Sequence, residues 1–265
     1  MKKGVLLTIS LVMIASIALT LSILNFINAE TTKDRSAEIG SLERLYIISD
    51  SIAIGFKEIF NTYSGINITI NNRNISFEEF LPNNNVNTFK NNLDNYKNYI
   101  EGQDSTIFLN TSKLKNELPL IILPHDITYK HNSFGGNKII INPAQINFNK
   151  YYINIGPGLN ITSCIWSTSP GSLTFQLVTN NPSCDNTVNI NPNQSNSINI
   201  NNGGILINMS KDLEIENNLG MVKVKAIISL NEIANEKIMV WSDKSVINIK
   251  YLNLNISKNS GFRII

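Results

Sequence analysis

The chain has 265 residues, a net charge of +2, 42% hydrophobic residues and 16% charged ones. So weak a basicity, with no cluster of basic residues interleaved with aromatics, excludes a nucleic-acid partner. Two histidines and two cysteines leave little material for metal or nucleophilic chemistry, so neither an enzyme nor a cofactor is expected.

Gly4 to Ile27 carries no charge; Lys2 and Lys3 precede it and Glu30 is the first charge after it. As a helix it would be about 36 Å long, against a hydrocarbon core of about 30 Å. The sequence thus predicts a transmembrane helix whose residues 4–27 lie in membrane lipid. Ile27-Asn28-Ala29 could serve as a signal-peptide cleavage site, but such signals have apolar centres of only about 7–15 residues, so a retained anchor is favoured. The two N-terminal lysines place the N-terminus in the cytoplasm and the rest outside, giving a single-pass cell-membrane protein with an extracellular C-terminal domain.

From Thr31 to about Asn61 the helical period continues. Ile39, Leu42, Tyr46, Ala53, Phe56 and Phe60 recur at three- and four-residue steps. No proline falls between Met1 and Leu81, so one long helix from about 4 to 61 is expected. Ile47 and Ile54, seven apart on the other side, form a second narrow stripe, suited to a neighbouring subunit or to a fold-back segment of the same chain.

The leader Lys2-Lys3-Gly4, the apolar run, its amphipathic continuation and a β-rich remainder together resemble type IV pilin-like single-span surface proteins, archaeal ones included. The resemblance covers about residues 1–60. It implies cleavage between Gly4 and Val5 and a homo-oligomer or filament assembled through the N-terminal helix. At the fifth position of the mature chain, where a bacterial major pilin carries Glu, this sequence has Ile9.

Beyond Tyr63 the texture turns to strands. Residues 65–70 and 74–77 alternate with period two around Asn71-Asn72-Arg73 and predict a β-hairpin. Asn83 to Glu101 reads as a helix or an ordered loop. From Ser105 onward, fourteen short alternating runs with turn signals between them predict a β-sandwich. Asp212, Glu214 and Glu216 against Lys223 and Lys225 predict a hairpin turning at Asn217–Gly220. The apolar parity of the run 245–257 switches near Tyr251, which predicts a bulge. Asn180 to Gly204, rich in Asn, Pro and Ser, reads as an exposed excursion.

Cys164 and Cys184 predict a disulfide if the domain is extracellular. Glycosylation sequons stand at Asn67, Asn74, Asn110, Asn160, Asn193, Asn208 and Asn255. With 43 asparagines in the chain, chance alone produces about that number, so their count is no argument for their use. His125 and His131 fit no zinc spacing and read as a polar surface turn, with no metal. Trp166, Trp241 and Tyr151 are the aromatics that could stack on a sugar if exposed.

The expected architecture is α+β, a long N-terminal transmembrane and amphipathic helix followed by an antiparallel β-sandwich. Residues 1–29 form the leader and span, 30–62 the amphipathic continuation and 63–265 the extracellular domain, with hairpin and short helix in 63–104 and the sandwich in 105–265. The expected function is that of a membrane-anchored structural surface protein, in adhesion or envelope assembly. The alternative is a glycan- or ligand-binding module on the same anchor.

Overall fold

The structure, a computed structural model, describes residues 2–71, 73–133, 136–144, 148–156, 158–231, 237–252 and 255–265; for residues 2–15, 17, 31–32, 34–38 and 41 it describes the backbone alone. Helix α1 (Lys2–Tyr63) is followed by β1 (Asn67–Asn71), β2 (Asn74–Leu81), α2 (Val86–Gln103), β3 (Ile107–Asn110), α3 (Ser112–Asn116), β4 (Leu120–Leu123), β5 (Ile127–His131), β6 (Lys138–Pro143) and β7 (Phe148–Ile155). Then come β8 (Cys164–Ser167), β9 (Pro170–Val178), β10 (Asn186–Ile190), β11 (Asn196–Ile200), β12 (Ile205–Met209), β13 (Leu213–Asn217), β14 (Val222–Leu230), β15 (Met239–Ser242), β16 (Ile247–Tyr251) and β17 (Ile256–Ser260).

Two expectations about fold class are corrected. Strand accounts for 43% and helix for 27% of the residues described with their side chains, so the protein is mostly β rather than α+β. Among the described residues no helix is long and apolar enough to cross a membrane, so the transmembrane helix is not found. The exposed apolar side chains described in α1 run from Leu19 to Ile27. Polar groups interrupt them: the Thr20 and Ser22 hydroxyls donate back to the carbonyls of Ser16 and Ala18, each at 2.9 Å.

The chain divides into two compact units, Met1–Asp50 and Ser51–Ile265. In the first, Ile39, Leu42 and Tyr46 are exposed rather than forming a buried stripe. In the second, Ile52, Ala53, Phe56 and Phe60 from the end of α1 are buried. The Phe56 ring meets Tyr96 of α2 edge-on at 5.0 Å, and Phe60 lies 6.1 Å from Phe262. Gly55 permits this approach, because a Cβ there would collide with the Tyr96 ring. The predicted 83–101 segment is helix α2, which buries Phe89 and Leu93.

The strands form three sheets. One has six strands in the order β1-β2-β14-β7-β9-β10, one has eight in the order β15-β4-β5-β6-β13-β12-β11-β8, and a small one is β17-β16-β3. The predicted β1–β2 hairpin is present, with Asn71 opposite Asn74. The sheets are not all antiparallel: β7 and β9 run parallel. A parallel pair needs a crossover rather than a tight turn, and here the crossover passes through β8 at the edge of the eight-stranded sheet. The two large sheets face each other. Phe77 of β2 stacks on Tyr129 of β5 at 4.2 Å and 11°, and Trp166 of β8 meets Phe175 of β9 at 6.2 Å.

The predicted 212–225 hairpin does not form. β13 pairs with β12 and β6 in one sheet, whereas β14 pairs with β2 and β7 in the other. The buried face was legible, since Leu213, Ile215, Val222 and Val224 are all buried. The partner was not, because alternation specifies a face and not a neighbour. Asn217 directs the switch between sheets: its amide donates to the Leu81 and Gly220 carbonyls at 2.6 and 2.8 Å, and its oxygen accepts from the Leu219 N–H at 3.1 Å.

Asn180–Gly204 is likewise no excursion, since β10 lies in the six-stranded sheet and β11 in the eight-stranded one. The parity switch at Tyr251 is not a bulge within one strand: β16 ends there and pairs antiparallel with β17, Tyr251 opposite Ile256.

Asparagine side chains hold several of these connections. Asn196 is almost wholly buried. Its amide donates to the carbonyls of Asn191, Gln194 and Met209 at 3.0, 2.8 and 3.1 Å, and its oxygen accepts from the Ser169 N–H at 2.7 Å. Replacing it with alanine strands these backbone groups, and the expected loss is about 2 kcal/mol, read as a lower urea midpoint at unchanged slope.

Candidate functional site

Three places in the Ser51–Ile265 unit gather chemistry. The first is the disulfide. Cys164 and Cys184 are bonded, with Cα atoms 5.5 Å apart, and no cysteine is free. Cys164 opens β8 in one large sheet, and Cys184 lies in the turn joining β9 and β10 of the other. The bond therefore ties the edges of the two sheets together.

The second is a buried polar cluster between the sheets. On β2, Glu79 shares its inward parity with Ile75, Phe77 and Leu81. On β5, Tyr129 and His131 point inward beside Ile127. Glu79, Tyr129, His131 and Asn83 are all at most 3% exposed. The Tyr129 hydroxyl donates to Glu79 Oε1, and His131 Nε2 lies 3.2 Å from the same oxygen. Asn83 Nδ2 donates to Glu79 Oε2 at 3.3 Å and to the Ser64 carbonyl at 2.8 Å. Burial, together with the neighbouring Glu79 carboxyl, raises the Tyr129 hydroxyl well above the usual phenol range. The cluster is enclosed by the Phe77 stack and the core, so it crosslinks the sheets.

The third is the outward face of the six-stranded sheet. Register places Glu78 of β2 beside Lys225 of β14, which in turn lies beside Asn154 of β7; Lys223 pairs with Phe80. Two residues further along, Ile227 stands beside Tyr152, itself paired with Gln176. Glu78, Asn154, Gly156, Lys223 and Lys225 line a shallow recess of about 180 Å³. Lys223 Nζ pairs with Glu78 Oε1, and Lys225 Nζ lies 3.7 Å from Oε2. Lys150 Nζ donates to Gln176 Oε1 at 2.5 Å and stands 5.9 Å above the Tyr152 ring; Asn154 Nδ2 donates to the Tyr152 hydroxyl at 3.4 Å.

The Lys223 hydrogen bond, aided by Lys225, holds the Glu78 carboxyl below its usual range. A lowered carboxyl contributes stability that is present above the unfolded value, about pH 4.3, and is lost as pH falls through the folded one. Glu78→Gln is therefore expected to flatten the acid limb of stability against pH. The loss at neutral pH should be only about 0.2–1 kcal/mol, since the pair is partly solvated.

The other sequence-predicted positions are dispersed. Ile47 and Ile54 are 68% and 61% exposed. Gly4 and Val5 lie in α1, and their side chains are outside the described residues. Asn67, Asn74, Asn110, Asn160, Asn193 and Asn255 are exposed, while Asn208 is half-buried within β12. His131 is not in a surface turn but in the core. Among the described residues no group of three or more His, Cys, Asp or Glu side chains is arranged to hold a metal.

Glu214 is matched by Lys138 at 2.8 Å, not by Lys223. Tyr151 is wholly buried rather than available to a sugar, and that burial, with Asp212 nearby, pushes its hydroxyl far up. Trp166 and Trp241 are half-buried.

Sequence reasoning missed both the polar cluster and the aromatic of the open face, Tyr152. Parity could have found the cluster: Glu79 falls in phase with Phe77 and Leu81, and His131 with Ile127 and Tyr129. No family model, no curated protein and no solved structure matches the chain.

Proposed function

We propose that this chain is a non-catalytic surface protein whose β-domain is displayed outside the cytoplasm, at the cell envelope, and which associates with further copies through its N-terminal helix. The observation that carries the reading is the bond between Cys164 and Cys184. Such bonds persist in oxidising surroundings and are rare in the cytosol. The exposed side chains of Ile47 and Ile54 support association, since apolar surface of that kind gains by leaving water. The polar cluster built on Glu79 serves as a structural tie, because its groups are enclosed and already engaged with one another.

Protease treatment of intact cells, combined with mapping of the mature N-terminus, tests the reading. Digestion of the β-domain without lysis is expected, and a chain beginning at Val5 would add support for pilin-like processing. Protection of the β-domain until lysis contradicts the proposal.

A second reading has one observation behind it. The open face carrying Tyr152, Asn154 and Gln176 presents an aromatic ring and two amides in adjacent rows, with Asn154 also lining a recess, a combination that suits a glycan-binding module.

A further inference from the structure

We propose that the outward face of the six-stranded sheet binds an acidic polysaccharide, a chain of carboxylated sugars, with Lys225, Lys223 and Asn154 engaging a carboxylate and Tyr152 packing against a sugar ring. This rests on the glycan-binding reading above and names the class of glycan. The side chains come from adjacent strands in register, so their spacing is set by the sheet. Asn154, Lys225 and Glu78 lie in one cross-strand row, and Tyr152, Ile227 and Ser76 lie in the next row along.

Charge selects the ligand. Lys150, Lys223 and Lys225 share this face with Glu78 as the facing carboxylate. Glu78 makes its close contact with Lys223 and its longer ion pair, at 3.7 Å, with Lys225, so one carboxylate is shared between two ammonium groups. The Lys225 ammonium, beside the Asn154 amide at the recess, therefore has donors to offer an anion. A neutral sugar would use the amides and the ring but add nothing to balance three cations that face one carboxylate; a carboxylated one uses all three.

The shape selects a polymer. Gln176 and Lys150 lie beyond Tyr152 on the same face. Residues 150 to 154 of β7 span about 13 Å, which suits several linked sugars better than one. The recess at one end, about 180 Å³, takes a single carboxylated ring.

The test uses the full-length oxidised protein, with detergent covering its exposed apolar helix. It is titrated with oligogalacturonate, with the same oligosaccharide as its methyl ester, and with polyphosphate of matched charge. Oligogalacturonate should bind, weaken with added salt, and prefer the acid to the ester. Lys225→Gln should weaken it about tenfold and Tyr152→Ala about fivefold. Glu78→Gln, which removes the competing carboxylate, should tighten it.

Equal binding of acid and ester would overturn the acidic assignment and leave the glycan reading standing. No binding of either would overturn both. Polyphosphate binding as well as oligogalacturonate, with Tyr152→Ala without effect, would reduce the face to a nonspecific cationic patch and overturn the proposal. Unchanged circular dichroism of each variant ties the result to the face rather than to folding.

Discussion

Replacing Glu79 with alanine is expected to cost the β-domain about 3–5 kcal/mol, the usual penalty for removing one partner from a buried pair. The substitution strands the Tyr129 hydroxyl and an Asn83 amide proton between the two sheets and removes the carboxylate 3.2 Å from His131 Nε2. Urea unfolding should show a lower midpoint at unchanged slope. Tyr129→Phe should cost less, about 1–2 kcal/mol, because it removes one donor and keeps the ring stacked on Phe77. A double-mutant cycle between Glu79→Ala and His131→Ala should give a coupling of about 1 kcal/mol or more. A loss below about 1 kcal/mol for Glu79→Ala would mean that the cluster contributes no net tie between the sheets.

The second large effect is expected from the disulfide. Reduction, or Cys164→Ser with Cys184→Ser, opens a loop of 20 residues. The chain-entropy account of such a loop predicts a loss of about 3 kcal/mol. The serine pair should unfold at a visibly lower temperature than the oxidised protein. Because the bond ties the edge of one sheet to a turn of the other, protection of β8 and β10 amides from hydrogen exchange should fall before that of central β14. Serine variants as stable as the oxidised protein would show that the crossovers alone hold these edges.

Much of the β-domain was legible because alternation is a local signal. The β1–β2 hairpin followed from Asn71-Asn72-Arg73 between two period-two runs, and the buried faces of β13 and β14 followed from parity. Pairing was not legible, because inward positions on two facing sheets carry the same pattern. Leu213–Asn217 and Val222–Leu230 are four residues apart in sequence, yet they belong to different sheets. The decisive residue there is Asn217, whose side chain turns the backbone.

The abundance of asparagine has a related lesson. Read as composition it carried no structural meaning, yet Asn196, Asn201 and Asn217 each satisfy several backbone groups, and Asn201 does so with a φ of 51°. Asparagine tolerates that left-handed conformation better than other non-glycine residues.

At the candidate sites, the disulfide was readable from two cysteines. The open face was not, because its members Glu78, Lys225, Asn154, Tyr152 and Gln176 come together only through the order β2-β14-β7-β9. At the N-terminus, no helix among the described residues is long and apolar enough to cross a membrane, and the side chains of residues 2–15 lie outside them.

The reading as a surface protein turns on which side of the membrane holds the β-domain, and the two sulfur atoms report it. Cells are quenched with acid, the chain is alkylated under denaturing conditions before and after reduction, and its mass is measured. Display in an oxidising space predicts no alkylation before reduction and two alkyl groups after it. Two alkyl groups before reduction, in protein taken directly from its own cells, would contradict the account.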